Sequence, residues 1–226
     1  MTPVYIGLGS NLGDRLARIQ EAVWLLGERL ELRAVSPLYE TAPMYVQDQP
    51  PFYNGVLAAA CDLAPLAVLR LLKEIETQVG RLPRERYGPR EIDLDLLVYG
   101  CARYEFRDAG RGTRDEGAAF RDGGRGMRNA GCEMSLTTEA RRARRDTESE
   151  GNEEIGTRDA GAEAPAVLTL PHPRIAERRF VLQPFCDIAP GLVLPGIGEV
   201  KTLLDATFAQ GESVKLVTDA VLSLHR

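Results

Sequence analysis

The chain has 226 residues, 28 basic and 33 acidic side chains, a formal net charge of −5 and 44% hydrophobic content. That is enough for one ordinary domain with a core, and the acidic balance argues against general nucleic-acid binding. No apolar run approaches the ~20 residues of a membrane helix, the four cysteines form no C-x-x-C pair and only two histidines occur, which excludes a membrane span and a His-rich metal site and suits a reducing cytosol.

The opening MTPVYIGLGSN lacks the basic start and long apolar stretch of a signal peptide, and residues 3–9 read as a first strand. From Asp14 to Leu30, Leu16, Ile19, Val23, Leu26 and Leu30 recur at helical steps, with Asn11 or Asp14 available as the cap. Residues 32–40 form a second strand, in which Pro37 predicts an edge or bulge. TAPMYVQDQPPF reads as a long loop, and 52–61 as a third strand. Pro65 opens a second helix with a stripe of Leu66, Leu69, Leu72, Ile75 and Val79, and Gly80 stops it. The strand IDLDLLVY follows an Arg-rich link. The order β-α-β-β-α-β predicts an α+β fold, the split βαβ pattern of ferredoxin-like sandwiches, with both helices on one face of an antiparallel sheet.

Residues 101–166 differ in kind, being dominated by Gly, Arg, Asp, Glu and Ala. FRDAGRGTRDEGA recurs as FRDGGRGMRNAGC and is echoed by TRDAGAE. With few large apolar residues, this stretch reads as a disordered low-complexity insertion within a single domain made of 1–100 and 167–226. Its Gly-Arg runs are interleaved with acidic residues, which weakens any RNA-contact reading. After it come a short strand at 167–170, a turn or short helix at 173–179, an apolar segment at 180–188 and a short strand at 192–194.

The segment YGPREIDLDLLVYG raises the chemical question. Strand alternation puts Asp93, Asp95, Leu97 and Tyr99 on one face and Ile92, Leu94, Leu96 and Val98 on the other. Two carboxylates ~6–7 Å apart along the strand repel each other, and a divalent cation would remove that cost. Hard oxygen donors without His or Cys partners favour Mg²⁺, which usually arrives with phosphates. A solvated sheet face would explain D-x-D equally well. The flanks tilt the balance: Arg81, Arg84, Arg86 and Arg90 come before the pair, and His172, Arg174, Arg178 and Arg179 lie beyond the insertion. Guanidinium groups suit a bidentate grip on phosphate oxygens. GLGSNLG is either a glycine-rich phosphate loop or a tight strand-to-helix turn, and no P-loop motif is present.

The segment from Arg86 to Leu97 (RYGPREIDLDLL), together with YIGLGSNLGDR, YETAPMYVQDQPPFYN and LPHPRIAERRFVL in that order, resembles the 6-hydroxymethyl-7,8-dihydropterin pyrophosphokinase family of folate biosynthesis. The resemblance covers 3–100 and 167 to about 205. It implies a ferredoxin-like fold and transfer of pyrophosphate from ATP to the pterin hydroxymethyl group, releasing AMP. It implies that Asp93 and Asp95 hold two Mg²⁺ ions, that Arg90, His172 and Arg178 contact phosphate, and that Lys73 and Glu76, with Arg81 and Arg84, lie on the nucleotide side. For the pterin it implies stacking between Phe52 and Phe180 and edge contacts from Thr41, Pro43, Met44 and Asn54, with Tyr87 nearby. On the residues alone, Phe52 and Phe180 serve equally as ordinary core. The expected partners are ATP and the pterin, with no nucleic acid and no membrane, for a cytoplasmic monomer.

Three features depart from the family pattern: the link RLPRER is one residue short, Pro173 replaces an often aromatic residue, and Val167 stands where a basic residue is common. The rival readings are a metal-dependent phosphohydrolase and a non-catalytic nucleotide- or pterin-binding module. The insertion reads as an inert excursion or as a lid or tether.

Overall fold

Alternation in the first strand, β1 (Thr2–Ser10), sends Val4, Ile6 and Leu8 to one side and Tyr5, Gly7 and Gly9 to the other, and this division organises the whole sheet. A computed structural model describes residues 1–85, 87–107, 167–208 and 213–224. β1 is followed by α1 (Arg15–Gly27), β2 (Glu31–Val35), β3 (Tyr39–Thr41), β4 (Phe52–Cys61), α2 (Pro65–Gln78) and β5 (Asp93–Tyr99). The central order is β3-β4-β1-β5, with β2 also paired to β4 and every pairing antiparallel, as the βαββαβ reading requires. The expected second strand is broken in two at Pro37. There Ser36 repairs the ladder, donating its N–H to the Val56 carbonyl at 2.9 Å and accepting from the Val56 N–H through its hydroxyl at 2.9 Å.

The helices form where the stripes predicted. Asp14 caps α1, accepting from the Ala17 N–H at 3.0 Å, while Asn11 does other work near the site. Pro65 occupies the first turn of α2, and Gly80, at φ +97°, follows its last residues. The inner stripes of both helices, including Ile19, Val23, Leu26, Leu72 and Ile75, close over Val4, Ile6, Leu57, Leu94 and Leu96 of the sheet. All of these are at most 4% exposed, so this is the main core.

The strict alternation expected for β5 fails at one residue. Ile6 pairs with Leu96 and Tyr5 with Val98, which leaves Leu97 as an extra residue in a β-bulge. Beyond it the faces swap: Tyr99 joins the main core, and Val98 turns to the opposite side with Leu97. That opposite side is also covered. After β6 (Tyr104–Arg107) and β7 (Val167–Leu170), which pair with each other, a 3-10 turn (Ile175–Glu177) leads into α3 (Arg179–Ile188). Then come β8 (Val193–Leu194), β9 (Gly198–Glu199), α4 (Val200–Ala206) and β10 (Val214–Leu216). Val181, Leu182 and Phe185 of α3 and Val200 and Leu204 of α4 pack on Val56, Leu97 and Val98. β10 pairs with β3 and extends the sheet at that edge.

Met1–Phe106 and Leu168–Arg226 make up one compact unit. Past residue 100 the described chain continues through β6. Beyond β6, residues 108–166 with their repeats, and the disorder expected of them, lie outside the described residues. Among the described residues no helix is long and apolar enough to cross a membrane.

Candidate active site

The side of the sheet that α3 and α4 leave open forms a recess of about 240 Å³ at the ends of β1, β4 and β5. Its floor is cleared by glycine. Gly9 pairs with Asp93 on β5 and with Asn54 on β4. A Cβ at Gly9 would stand 3.4 Å from Asn54 Oδ1 and 3.7 Å from the Asp93 Cβ, so any larger side chain would fill the space between them. Within the GLGSNLG motif, Gly9 opens the recess, and Gly13, at φ +66°, serves the tight turn from β1 into α1.

Asp93 and Asp95 both line the recess. Asp93 Oδ1 accepts from Arg90 Nη1 at 2.7 Å and from Arg81 Nη1 at 2.8 Å. Among the described residues, Asp95 pairs at a longer distance, with Arg178 Nη1 3.8 Å from its Oδ2. Burial first, and the charge of Asp93 second, push the Asp95 pKa up to about 6 against the pull of Lys73 and Arg178. Its side chain is nonetheless 41% exposed, so the group is walled in by protein but open to the recess, where a cation can reach it.

Glu76, 3% exposed on α2, fixes the back of this acidic strand. Its Oε1 accepts from the Leu94 N–H at 2.7 Å and from Lys73 Nζ at 2.7 Å, and its other oxygen pairs with Arg81. Arg81 thereby bridges Glu76 and Asp93. Lys73, Glu76 and Arg81 stand behind the recess rather than on its lining. Arg84 points elsewhere: its Nη2 donates to Glu91 Oε1 at 2.6 Å. Burial alone would raise the Glu91 pKa, but Arg84 and backbone N–H groups more than offset it and lower the value.

His172 lines the recess from the segment after β7. Its N–H donates to the Leu97 carbonyl at 2.8 Å, which ties the segment after β7 to the acidic strand. Its Nδ1 accepts from the Arg174 N–H at 3.2 Å, so the neutral ring carries its proton on Nε2. Burial, then Arg178 and Arg174, hold its pKa down at about 4. At neutral pH His172 is thus an uncharged hydrogen-bond donor. Arg178, 13% exposed, lines the recess beside it, and its buried Nε finds no hydrogen-bond partner among the described residues.

The other part of the recess is aromatic and amide-lined. Asn54, 8% exposed, donates through Nδ2 to Thr41 Oγ1 at 2.7 Å. Phe52, Phe180, Met44 and Tyr87 complete this part. Phe180 both lines the recess and packs against the α3 core. Pro43 lies beside this wall but not on it; its carbonyl accepts from Gln47 Nε2 at 3.2 Å.

With that geometry in place, comparison with known proteins is informative. Residues 5–190 match the family described as 7,8-dihydro-6-hydroxymethylpterin-pyrophosphokinase (HPPK). The chain belongs to this family. A relative from Schizosaccharomyces pombe, named folic acid synthesis protein fol1, is 32% identical over 193 residues, covering 84% of this chain and 18% of that protein. One from Aquifex aeolicus, named 2-amino-4-hydroxy-6-hydroxymethyldihydropteridine pyrophosphokinase, is 44% identical over 99 residues, covering 44% of this chain and 62% of its own length. This chain thus spans less than two thirds of either relative. Among solved structures, an HPPK-DHPS protein in complex with substrates superposes with a TM-score of 0.59 at 13% identity, over 92% of this chain and 44% of that one. Wild-type HPPK-DHPS of Plasmodium falciparum with pteroate gives 0.57 at 13%, over 92% and 43%. These two show the HPPK fold.

Gly9, Tyr45, Gln49 and Gly88 line the recess without having been singled out in the sequence. Gln49 joins two loops, accepting from Asn11 Nδ2 at 3.2 Å and donating to the Tyr87 carbonyl at 3.1 Å. Asn11, buried at 2%, also accepts from the Arg90 N–H at 2.7 Å. Gln49, a polar amide beside Pro50 and Pro51, was the available signal in the loop, while Asn11 sits in the Gly-rich turn after β1.

Proposed function

We propose that this chain transfers pyrophosphate from ATP to the hydroxymethyl group of 6-hydroxymethyl-7,8-dihydropterin, releasing AMP. One observation carries the reading: a single recess joins the Asp93–Asp95 pair, Arg90, His172 and Arg178 to a wall of Thr41, Asn54, Phe52 and Phe180. The first set suits a triphosphate and the second a flat heteroaromatic ring with a polar edge.

The residues fit Mg²⁺. Burial first and the Asp93 charge second raise the Asp95 pKa, and a dication bound between the two carboxylates would offset both penalties. Among the described residues no group of three or more His, Cys, Asp or Glu could hold a metal. Two carboxylates leave the remaining positions to water and phosphate, as Mg²⁺ prefers. Asp93 and Asp95 would hold the ion, which when bound neutralises phosphate charge and polarises the bond that breaks.

The chain's own residues do the rest. Arg90, on the lining, exchanges the Asp93 carboxylate for phosphate oxygens when nucleotide binds, while Arg81 keeps Asp93 tied to Glu76 from behind. Arg178 brings an unpaired Nε, and His172 donates from Nε2 without adding charge. Phe52 and Phe180 hold the ring by its faces, and Asn54 with Thr41 reads its edge. Positioning and charge neutralisation then supply most of the acceleration, with the hydroxyl oxygen in line with the β-phosphorus.

The test is nucleotide product analysis with purified protein, Mg-ATP and the pterin, each omitted in turn. AMP formed only with the pterin is the expected result. ADP and phosphate without any pterin requirement would replace the reading with a hydrolase, and ligand binding without turnover would replace it with a binding module.

A further inference from the structure

The rim of the recess carries a contact that the transfer reaction does not use. Tyr45, from the 42–51 loop, and Tyr87, beside Arg90, stack with ring centroids 4.5 Å apart at 35°. Arg174 bridges them: Nη1 donates to the Tyr45 hydroxyl at 2.7 Å and Nη2 to the Tyr87 hydroxyl at 3.5 Å. Its guanidinium carbon lies 5.7 Å from the Tyr45 ring centroid. Both tyrosines line the recess and Arg174 does not.

We propose that Arg174 is a positioning residue, a clip that holds the two loops bounding the recess in the binding geometry before any ligand arrives. Two features support this. Tyr87 sits at φ +66°, a left-handed conformation that a bulky residue keeps only when its surroundings hold it. The same two loops are already tied on their inner side through Gln49, so Arg174 supplies the second, outer tie that stops them pivoting. A fork onto two hydroxyls needs the planar guanidinium; a lysine reaches one partner at a time. Ordering the rim in advance lowers the entropy that ligand binding must overcome, so the effect belongs in affinity rather than in the chemical step.

This inference rests on the pterin reading for its kinetic half and on the free protein for its structural half. The experiment compares full-length wild type, Arg174→Ala, Arg174→Lys, Tyr45→Phe and the Arg174→Ala/Tyr45→Phe double variant. Amide hydrogen exchange is followed without ligand, and steady-state kinetics with Mg-ATP and the pterin. In Arg174→Ala, exchange across 42–51 and 87–91 should quicken about tenfold and the pterin KM rise about tenfold, with kcat within about threefold of wild type. Tyr45→Phe should move both readouts in the same direction by less, Arg174→Lys should fall between, and the double variant should be no worse than Arg174→Ala. Unchanged exchange in Arg174→Ala and Tyr45→Phe would overturn the clip, as would a fall in kcat at constant KM, which would make Arg174 a phosphate ligand. If Arg174→Ala does not fold, Tyr45→Phe, which keeps the ring, decides alone. A wild type that makes no AMP would sink the pterin reading and leave the exchange comparison to judge the clip.

Discussion

The two faces of β1 and β4 are written in the same residues, alternately, and they do opposite work. Towards α1 and α2 the strands present Val4, Ile6, Leu8, Leu57 and Ala59, all at most 2% exposed. Towards the recess the same strands present Gly9, Phe52 and Asn54, and β5 adds Asp93 and Asp95. The first face stores the stability. The second carries glycine where a side chain would help packing, a buried amide, and two neighbouring carboxylates, each of which costs stability on its own. The fold tolerates the costly face because the other is packed so completely.

That division can be broken from either side. The largest effect is expected from Asp95→Asn, which should lower turnover by about a thousandfold, roughly 4 kcal/mol in the barrier, with an unchanged or slightly raised melting temperature; near-normal activity in a folded variant would refute the metal role. Leu57→Ala should do the converse, costing about 2–5 kcal/mol in denaturant unfolding while kcat per folded molecule stays near wild type. If both stability and kcat collapsed together, the faces would not be separable.

Gly9→Val is a subtler probe. Its methyls would stand between Asn54 and Asp93, and the pterin KM should rise about tenfold with little change in stability. A normal KM would mean that the recess floor is not where the ring sits.

The smallest expected effect is in pH dependence. His172 has a folded pKa near 4, below the unfolded 6.5. As pH falls, the unfolded chain binds this proton first, so the stability present above 6.5 drains away down to about pH 4. The melting temperature of wild type minus that of His172→Gln should therefore fall across that window. Asp95, whose shift runs the other way, is common to both proteins and cancels. A flat difference would mean that the ring is more hydrated than its surroundings suggest.

Much of this was legible in advance because periodicity records burial. The α1 and α2 stripes and the Asp93–Asp95 pair with its flanking arginines and His172 could be read from the residues. An irregularity at Pro37 was expected although not a break, and Thr41 and Asn54 were reached only through the family resemblance. The bulge could not be read: Leu96, Leu97 and Val98 are equally apolar, and nothing in such a run marks the residue that slips out of register. Short, half-exposed β10 has no pattern to find, and α3 was visible only as an apolar segment because Pro184 interrupts its helical signal. The tie among Tyr45, Tyr87 and Arg174 joins three distant stretches, and such contacts leave no local trace.

The bond from the His172 N–H to the Leu97 carbonyl has one more consequence. Leu170 and Ile175, both buried, anchor the chain on either side of it, one in each core. The imidazole is thereby registered to the same strand as the two carboxylates, so a change that shifts β5 carries all three groups together rather than one against the others.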